Sequence, residues 1–533
     1  MSNLNKYLQM IGSMGLNLQN QKNDSADNFL LSAKNIICKD GFLELRKHIR
    51  KVANFANPIK FLFPFEEFNV IIAATDNTIY ILNERFEVLT STGGYSSSDW
   101  VPCLFNHRVY LANSLDKAQV ITNTGVDTFT IEEVNVTGTT NKIFSFVSAV
   151  NSQLVFGKLN SLSFWYLPVG NVQGQLSEFD LSTAIGTTRL GGYIVNMMNL
   201  PRDSGMGMQD YVAIFTDKGE MIMYQTTDWS DADSINYKGT YLTNPFIGHN
   251  FITKYLNDLL LLTTNGIISA QDIINSGVSA STDVIFSAPI NNQWNTQNFK
   301  IPGYIGLVVP QEDFMIFNVP TTTNENYQWV MDLSSHRWSS FTEINCYSIC
   351  NFNENLLFGK DDGIYLYTND AIPQDDEHWI TSEIQTSYSN WGTINSKRFG
   401  LFNTRLLASS DLNITYEIRK ELADSTYYNF ISSSNIATSS MIDGGFFEIN
   451  DAETDQRHID DLFYWWIDDE TIDPTHKTVY WTVGSNGDLS EQNRWHSGSG
   501  YARNFSLILR MKTNNITYKL YDITYQFSQG AGI

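Results

Sequence analysis

"FNENLLFGKDDGIYLY" runs from Phe352 to Tyr367. A polar turn, Asn353-Glu354, opens it. An apolar, β-prone run follows, then Asp361-Asp362-Gly363, then a second β-prone run. Asn-Gly and Asp-x-Gly turns supply the positive φ that tight hairpins demand. The stretch therefore reads as a hairpin, and its recurrence is what decides the fold. Upstream lie "EEFNVIIAATDNTIYIL" (Glu66 to Leu82), "FNHRVYLANSLDKAQVI" (Phe105 to Ile121), "VNSQLVFGKLNSLSFWYL" (Val150 to Leu167) and "MQDYVAIFTDKGEMIMY" (Met208 to Tyr224). "LNDLLLLTTNGIISA" (Leu256 to Ala270) and "QEDFMIFNVPTTTNENYQWVMDL" (Gln311 to Leu333) complete the series. Each has a polar turn, a short strand, a tight turn and a second strand. The units recur at roughly 37 to 58 residues, near the ~40–50 of propeller blades. Regular short strands with turn signals mark an all-β chain. A fixed recurrence selects a β-propeller, because the strands of a sandwich have no reason to repeat as units. About seven blades are expected between about residues 56 and 372, the irregular unit lengths leaving six or eight open, with Asn265-Gly266 and Asp361-Asp362-Gly363 on hairpin turns. "VMDLSSHRWSSF" (Val330 to Phe341) fits the outer strands of one blade, with Trp338 in its core.

From about Glu377 the pattern changes. "LNITYEIRKEL" and "FSLILRMKTNNITYKLYDITYQF" alternate at period two, as half-buried antiparallel strands do. "GSGYARN" (Gly498 to Asn504) reads as a turn between strands. The chain thus divides into an N-terminal arm (residues 1–55), a propeller (56–372) and a C-terminal β-rich domain (377–533).

Composition limits the function. Hydrophobic residues make up 42% of the 533 residues, so the chain is globular. Acids number 57 against 34 Lys plus Arg, a formal charge of −23. A chain this acidic does not grip nucleic acid over its general surface, but it suits a passage to which nucleic acid must not stick. Cys38, Cys103, Cys346 and Cys350 form no disulfide framework or zinc spacing, and are read as buried free thiols of a reducing cytoplasm. The first fifteen residues lack the basic and apolar parts of a secretory signal, and no apolar run approaches the ~18 residues of a transmembrane helix.

No signature of catalysis emerges. HExxH, GxSxG and P-loop motifs are absent, as is the sialidase Asp-box. No cofactor and no metal is expected, because no acid spacing matches an EF-hand loop. The densest acidic stretch carries Asp451, Glu453, Asp455, Asp460, Asp461, Asp468, Asp469, Glu470 and Asp473, and a smaller one carries Asp375, Asp376 and Glu377. These acids are candidates for a channel wall or a subunit junction.

The two ends of the chain carry a resemblance. Gly15-Leu16-Asn17-Leu18, then Ala33-Lys34-Asn35-Ile36, then Gly41-Phe42-Leu43-Glu44-Leu45-Arg46 precede the propeller. "TSEIQTSYSNWGTINSKRF" (Thr381 to Phe399) follows it. This order resembles the tail nozzle, or tail hub, proteins of short-tailed bacteriophages, the packaged-DNA stabilisation or tail tubular protein B type. Where that family usually has Arg-Pro-Gly, this chain has Arg46-Lys47-His48. The resemblance implies a structural virion protein of the tail, assembled in the host bacterial cytoplasm and not an enzyme. It implies a homo-oligomer of six copies that extends the channel of the portal and adaptor ring proteins. The nozzle would hold packaged double-stranded DNA, conduct it during ejection without binding it specifically, and meet tail fibres or spikes and the host cell envelope. The arm and the C-terminal region would build a platform, with Asn35, Gly41, Arg46 and Arg50 as candidate intersubunit contacts. The alternative reading is a propeller glycosidase or a glycan-binding tail or adhesin protein.

Overall fold

The computed structural model describes residues 5–11, 14–19, 28–183, 188–203, 208–276, 285–322, 325–369, 379–393, 395–409, 412–420, 490–514 and 516–529. The chain forms two compact units. One comprises residues 49–328 and 344–367, and the other residues 1–48, 329–343 and 368–533.

The first unit is a β-propeller. Its first sheet runs Phe61–Phe65, Val70–Ala74, Thr78–Leu82 and Val88–Gly93, each strand antiparallel to the next. The second runs Val101–Phe105, Arg108–Ala112, Gln119–Gly125 and Thr128–Glu133. The third starts at Val147–Val150 and the fourth at Ile194–Asp203, each with four strands. Ile252–Tyr255 begins a three-stranded sheet that is followed by the helix Ala270–Ser276, at seven residues the longest among the described residues. Ile305–Val309 and Phe314–Val319 form the sixth hairpin. Ser348–Phe352, Asn355–Lys360 and Gly363–Thr368 form the seventh sheet. Ser348–Phe352 lies beside Phe61–Phe65, so the last sheet meets the first and the ring closes.

Apolar layers between neighbouring sheets hold the ring. Phe65, Ile72 and Ile81 of the first sheet pack with Val109, Leu111 and Ile121 of the second. Ile71 and Leu82 pack with Phe352, Leu357 and Ile364 of the seventh. Burial on both sides explains central strands such as Val70–Ala74, whose five residues are all buried.

The seventh sheet takes its outermost strand from the other end of the chain. His48–Asn54 pairs with Gly363–Thr368. The boundary expected at residue 55 therefore moves: residues 49–54 belong to the propeller, because Gly363–Thr368 would otherwise leave an open edge. Asn265-Gly266 and Asp361-Asp362-Gly363 sit on hairpin turns, between Thr263 and Gly266 and between Lys360 and Gly363.

The second unit is a pair of sheets built from both ends of the chain. One runs Ile36–Lys39, Phe42–Leu45, Tyr518–Gln529, Lys397–Ala408 and Ser490–Ala502, with Asn5–Met10 also on Tyr518–Gln529. The other contains Trp338–Phe341, Leu30–Lys34, Ile380–Thr386, Phe505–Thr513 and Asn413–Lys420. Aromatic side chains fill the space between them. Trp391 stacks on Phe505 of one sheet at 4.9 Å and on Tyr525 of the other at 4.8 Å. Residues 329–343 belong here rather than to a blade alone, because Trp338–Phe341 takes Leu30–Lys34 as a parallel neighbour.

"GSGYARN" is not simply a turn. Gly498 and Gly500 lie within the strand Ser490–Ala502. Leu401 pairs with Ser497 and Phe399 with Gly500, so Gly498 and Ser499 stand opposite the single residue Gly400. That is a β-bulge, a position where glycine is at home.

Candidate functional site

Two sites stand out, one in each unit. The first is a clasp around the arm. Asn35 sits between Leu30–Lys34 and Ile36–Lys39, at φ 56° and with no exposed surface. Asparagine is among the few residues that adopt this left-handed conformation readily. Its carboxamide oxygen accepts hydrogen bonds from Arg46 Nε at 2.9 Å and the Thr342 backbone N–H at 2.8 Å. Its Nδ2 donates to Thr342 Oγ1 at 2.9 Å, Glu343 Oε2 at 3.2 Å and the Thr381 carbonyl at 2.8 Å. Arg46 is only 4% exposed, donates to the Lys47 carbonyl at 3.0 Å, and lies 4.0 Å from Glu343.

Other residues behind the resemblance have comparable roles in the same unit. Gly15 has φ 72°, and a Cβ there would come within 2.8 Å of Arg337 Cβ. Its carbonyl accepts from the Leu30 N–H at 2.9 Å. Lys397 is fully buried and donates to the carbonyls of Asn395 and Arg503 at 3.0 and 2.6 Å. Phe399 packs on Trp391.

The expected intersubunit residues therefore separate. Asn35 and Arg46 spend their polar groups inside their own chain, because burial obliges each donor and acceptor to find a partner. Gly41 is an exposed turn residue at φ 84° between Ile36–Lys39 and Phe42–Leu45. Arg50 is half-buried on the strand that closes the propeller. The acids Asp451, Glu453, Asp455, Asp460, Asp461, Asp468, Asp469, Glu470 and Asp473 lie outside the described residues, as do Asp375 to Glu377.

The second site is the axis of the propeller. A cavity of about 510 Å³ is lined by the innermost strands and adjoining loops of six of the seven sheets. Its walls are apolar, including Phe63, Pro102, Met198, Ile252 and Leu307. Its polar groups come from loops. Lys60 Nζ is 2.7 Å from Asp76 Oδ2, and Ser98 Oγ donates to Asp76 Oδ1 at 2.9 Å. Burial works to raise the Asp76 pKa, but these partners outweigh it and hold the carboxyl below its ordinary range. Burial pushes the Tyr304 phenol up to about 12. Tyr347 also rises to about 12, by burial and by its 2.7 Å hydrogen bond to Asp361. His249 Nε2 stands 3.8 Å from Asp99 Oδ2, while its Nδ1 is buried without a hydrogen-bond partner. Sequence reading missed Lys60, Asp99 and His249, which lie on loops of different blades and share no local motif.

Among the described residues no group of three or more His, Cys, Asp or Glu stands close enough to hold a metal ion. All four cysteines are free and buried. Burial raises Cys38, Cys103 and Cys346 to about 12, which keeps these thiols protonated. No helix among the described residues is long and apolar enough to cross a membrane.

No family model matches the chain. No curated protein matches it either. Among solved structures it is similar to Saccharomyces cerevisiae Sqt1, at 9% identity and a TM-score of 0.37 over 60% of this chain and 98% of that one. U3-55K is similar at 9% identity and a TM-score of 0.38, over 60% of this chain and 98% of that one. The WD40 repeats of RRP9 are similar at 9% identity and a TM-score of 0.36, over 61% of this chain and 99% of that one. The class defined here, a β-propeller protein, rests on the sheet order and ring closure of this chain.

Proposed function

We propose that the chain is a structural subunit of a bacteriophage tail nozzle. It assembles into a ring of six, extends the portal and adaptor channel, helps retain packaged DNA and conducts it during ejection. One observation carries this reading. Gly15, Asn35, Arg46, Trp391 and Phe399, which underlie the resemblance, are all buried or conformationally constrained parts of one unit made from both ends of the chain. A propeller carried as an insertion also suits a subunit whose ends build one body and whose middle builds another. The net charge of −23 suits a conduit for a polyanion, since a basic lumen would bind phosphates and slow their passage. The test is to mix the purified chain with the adaptor ring and image the particles by negative stain. The expected result is a ring with an axial channel seated on the adaptor. A compact monomer under all conditions would overturn the reading and favour a glycosidase or a glycan-binding protein, separable by release of reducing ends from capsular glycan.

A further inference from the structure

We infer that the axial cavity of the propeller is a binding site for a basic side chain, an arginine or lysine presented by a partner polypeptide. The inference is independent of the nozzle reading, since the cavity lies within one unit of one chain. Three observations carry it. The first is charge. The lining includes the carboxylates Glu66, Asp76 and Asp99 against the single ammonium of Lys60. Lys60 is already engaged with Asp76 at 2.7 Å. Glu66 and Asp99 leave the cavity anionic, which disfavours phosphate or nucleic acid and favours a cation.

The second observation is the state of Asp99. Its backbone N–H donates to Ser97 Oγ at 3.1 Å, which orders the loop. The closest cationic candidate to its carboxylate is His249 Nε2 at 3.8 Å, too far for a hydrogen bond. A guanidinium or ammonium entering here would supply the short, charge-assisted bonds that His249 does not. The third observation is the wall. Phe63, Pro102, Met198, Ile252 and Leu307 give an apolar surface for the methylene stem of such a side chain. A neutral sugar would satisfy neither the charge nor this wall so well, and a small inorganic cation would leave the apolar surface uncovered.

The test uses the full chain and a fluorescein-labelled acetyl-Gly-Gly-Arg-Gly-Gly-amide peptide, followed by fluorescence anisotropy at low salt. Its counterpart carries citrulline, which keeps the shape of arginine and removes the charge. The native chain should bind the arginine peptide saturably, and the citrulline peptide at least about tenfold more weakly. Asp99→Asn should weaken binding by about fivefold or more, whereas Asp127→Asn, on an exposed turn elsewhere, should change it less than about twofold. Hydrogen exchange on the native chain gives an answer that needs no variant to fold. The peptide should protect residues 97–102 and 248–252. Absence of saturable binding, equal binding of the citrulline peptide, equal effects of the two Asp substitutions, or protection confined to other segments would each overturn the proposal. So would displacement by maltoheptaose as effective as displacement by unlabelled arginine peptide.

Discussion

Turns between the first and second strands of several blades share one device. Asn106-His107, Asn151-Ser152 and Asn353-Glu354 have positive φ at both positions, from 46° to 61°. This is the left-handed geometry of the tight hairpin turn, and asparagine leads each pair. The fifth blade departs from the rule, with Leu256 at φ 52° and 86% exposed. A leucine gains nothing there from burial and bears the steric cost of the left-handed region. Leu256→Asn should therefore stabilise the chain by about 0.5–1 kcal/mol, read as a higher denaturation midpoint. Asn35 represents the opposite case. Asn35→Ala would strip the buried Arg46 Nε and the Thr342 N–H of their acceptor. A cost of about 2–4 kcal/mol is expected by urea denaturation, against less than about 1 kcal/mol for Arg50→Ala. Glu383 ties stability to pH. Burial works to raise its pKa, yet Lys34 at 3.1 Å and Arg510 at 2.8 Å prevail and lower it from 4.5 to about 2. The unfolded chain holds this proton at higher pH than the folded one. The stabilisation is therefore complete above the ordinary value of 4.5 and is lost as pH falls through the folded value of about 2. Glu383→Gln should flatten the fall in stability between about pH 5 and 2, by at most about 3 kcal/mol.

Elements depend on close approaches that a side chain would block. A Cβ on Gly363 would lie 2.0 Å from the Ala53 carbonyl oxygen, in the strand that closes the seventh sheet. Gly363→Ala should cost about 3 kcal/mol or more and raise protease sensitivity near residues 48–54, because the strand must shift to admit the methyl. Gly41→Ala meets nothing within 4 Å and bears only the cost of its φ of 84°, about 1 kcal/mol. Thermal melts of the two variants would separate clash from backbone preference. The same contrast explains what was legible in the sequence. Hairpins were legible because alternation and the Asn, Asp and Gly turn residues act over a few positions. The arm clasp was not, because Asn35 meets Thr342, Glu343 and Thr381, more than 300 residues away. The bulge at Gly498 and Ser499 was hidden for the same reason, since its meaning depends on Gly400 in the opposite strand. The cavity groups Lys60, Asp99 and His249 converge only after the ring has closed.

At the scale of the whole molecule, the acid excess is the property most directly tied to the proposed role. Replacing Asp468, Asp469 and Glu470 with lysine should slow DNA release from assembled particles, most at low salt, because screening at physiological strength acts over ~8 Å. Unchanged ejection kinetics at low ionic strength would identify these acids as ordinary surface. The closing strand carries a consequence in time rather than in energy. Residues 48–54 leave the ribosome before their partner, residues 363–368, which is made some 300 residues later. At ~5–20 residues per second that interval is roughly 15–60 s. Throughout it the nascent ring has no final blade to join, and an early strand waits with its hydrogen-bonding groups unclaimed. A message cut short before codon 363 would leave that strand without its partner for good, and the fragment would be matter for chaperones and proteases rather than for assembly.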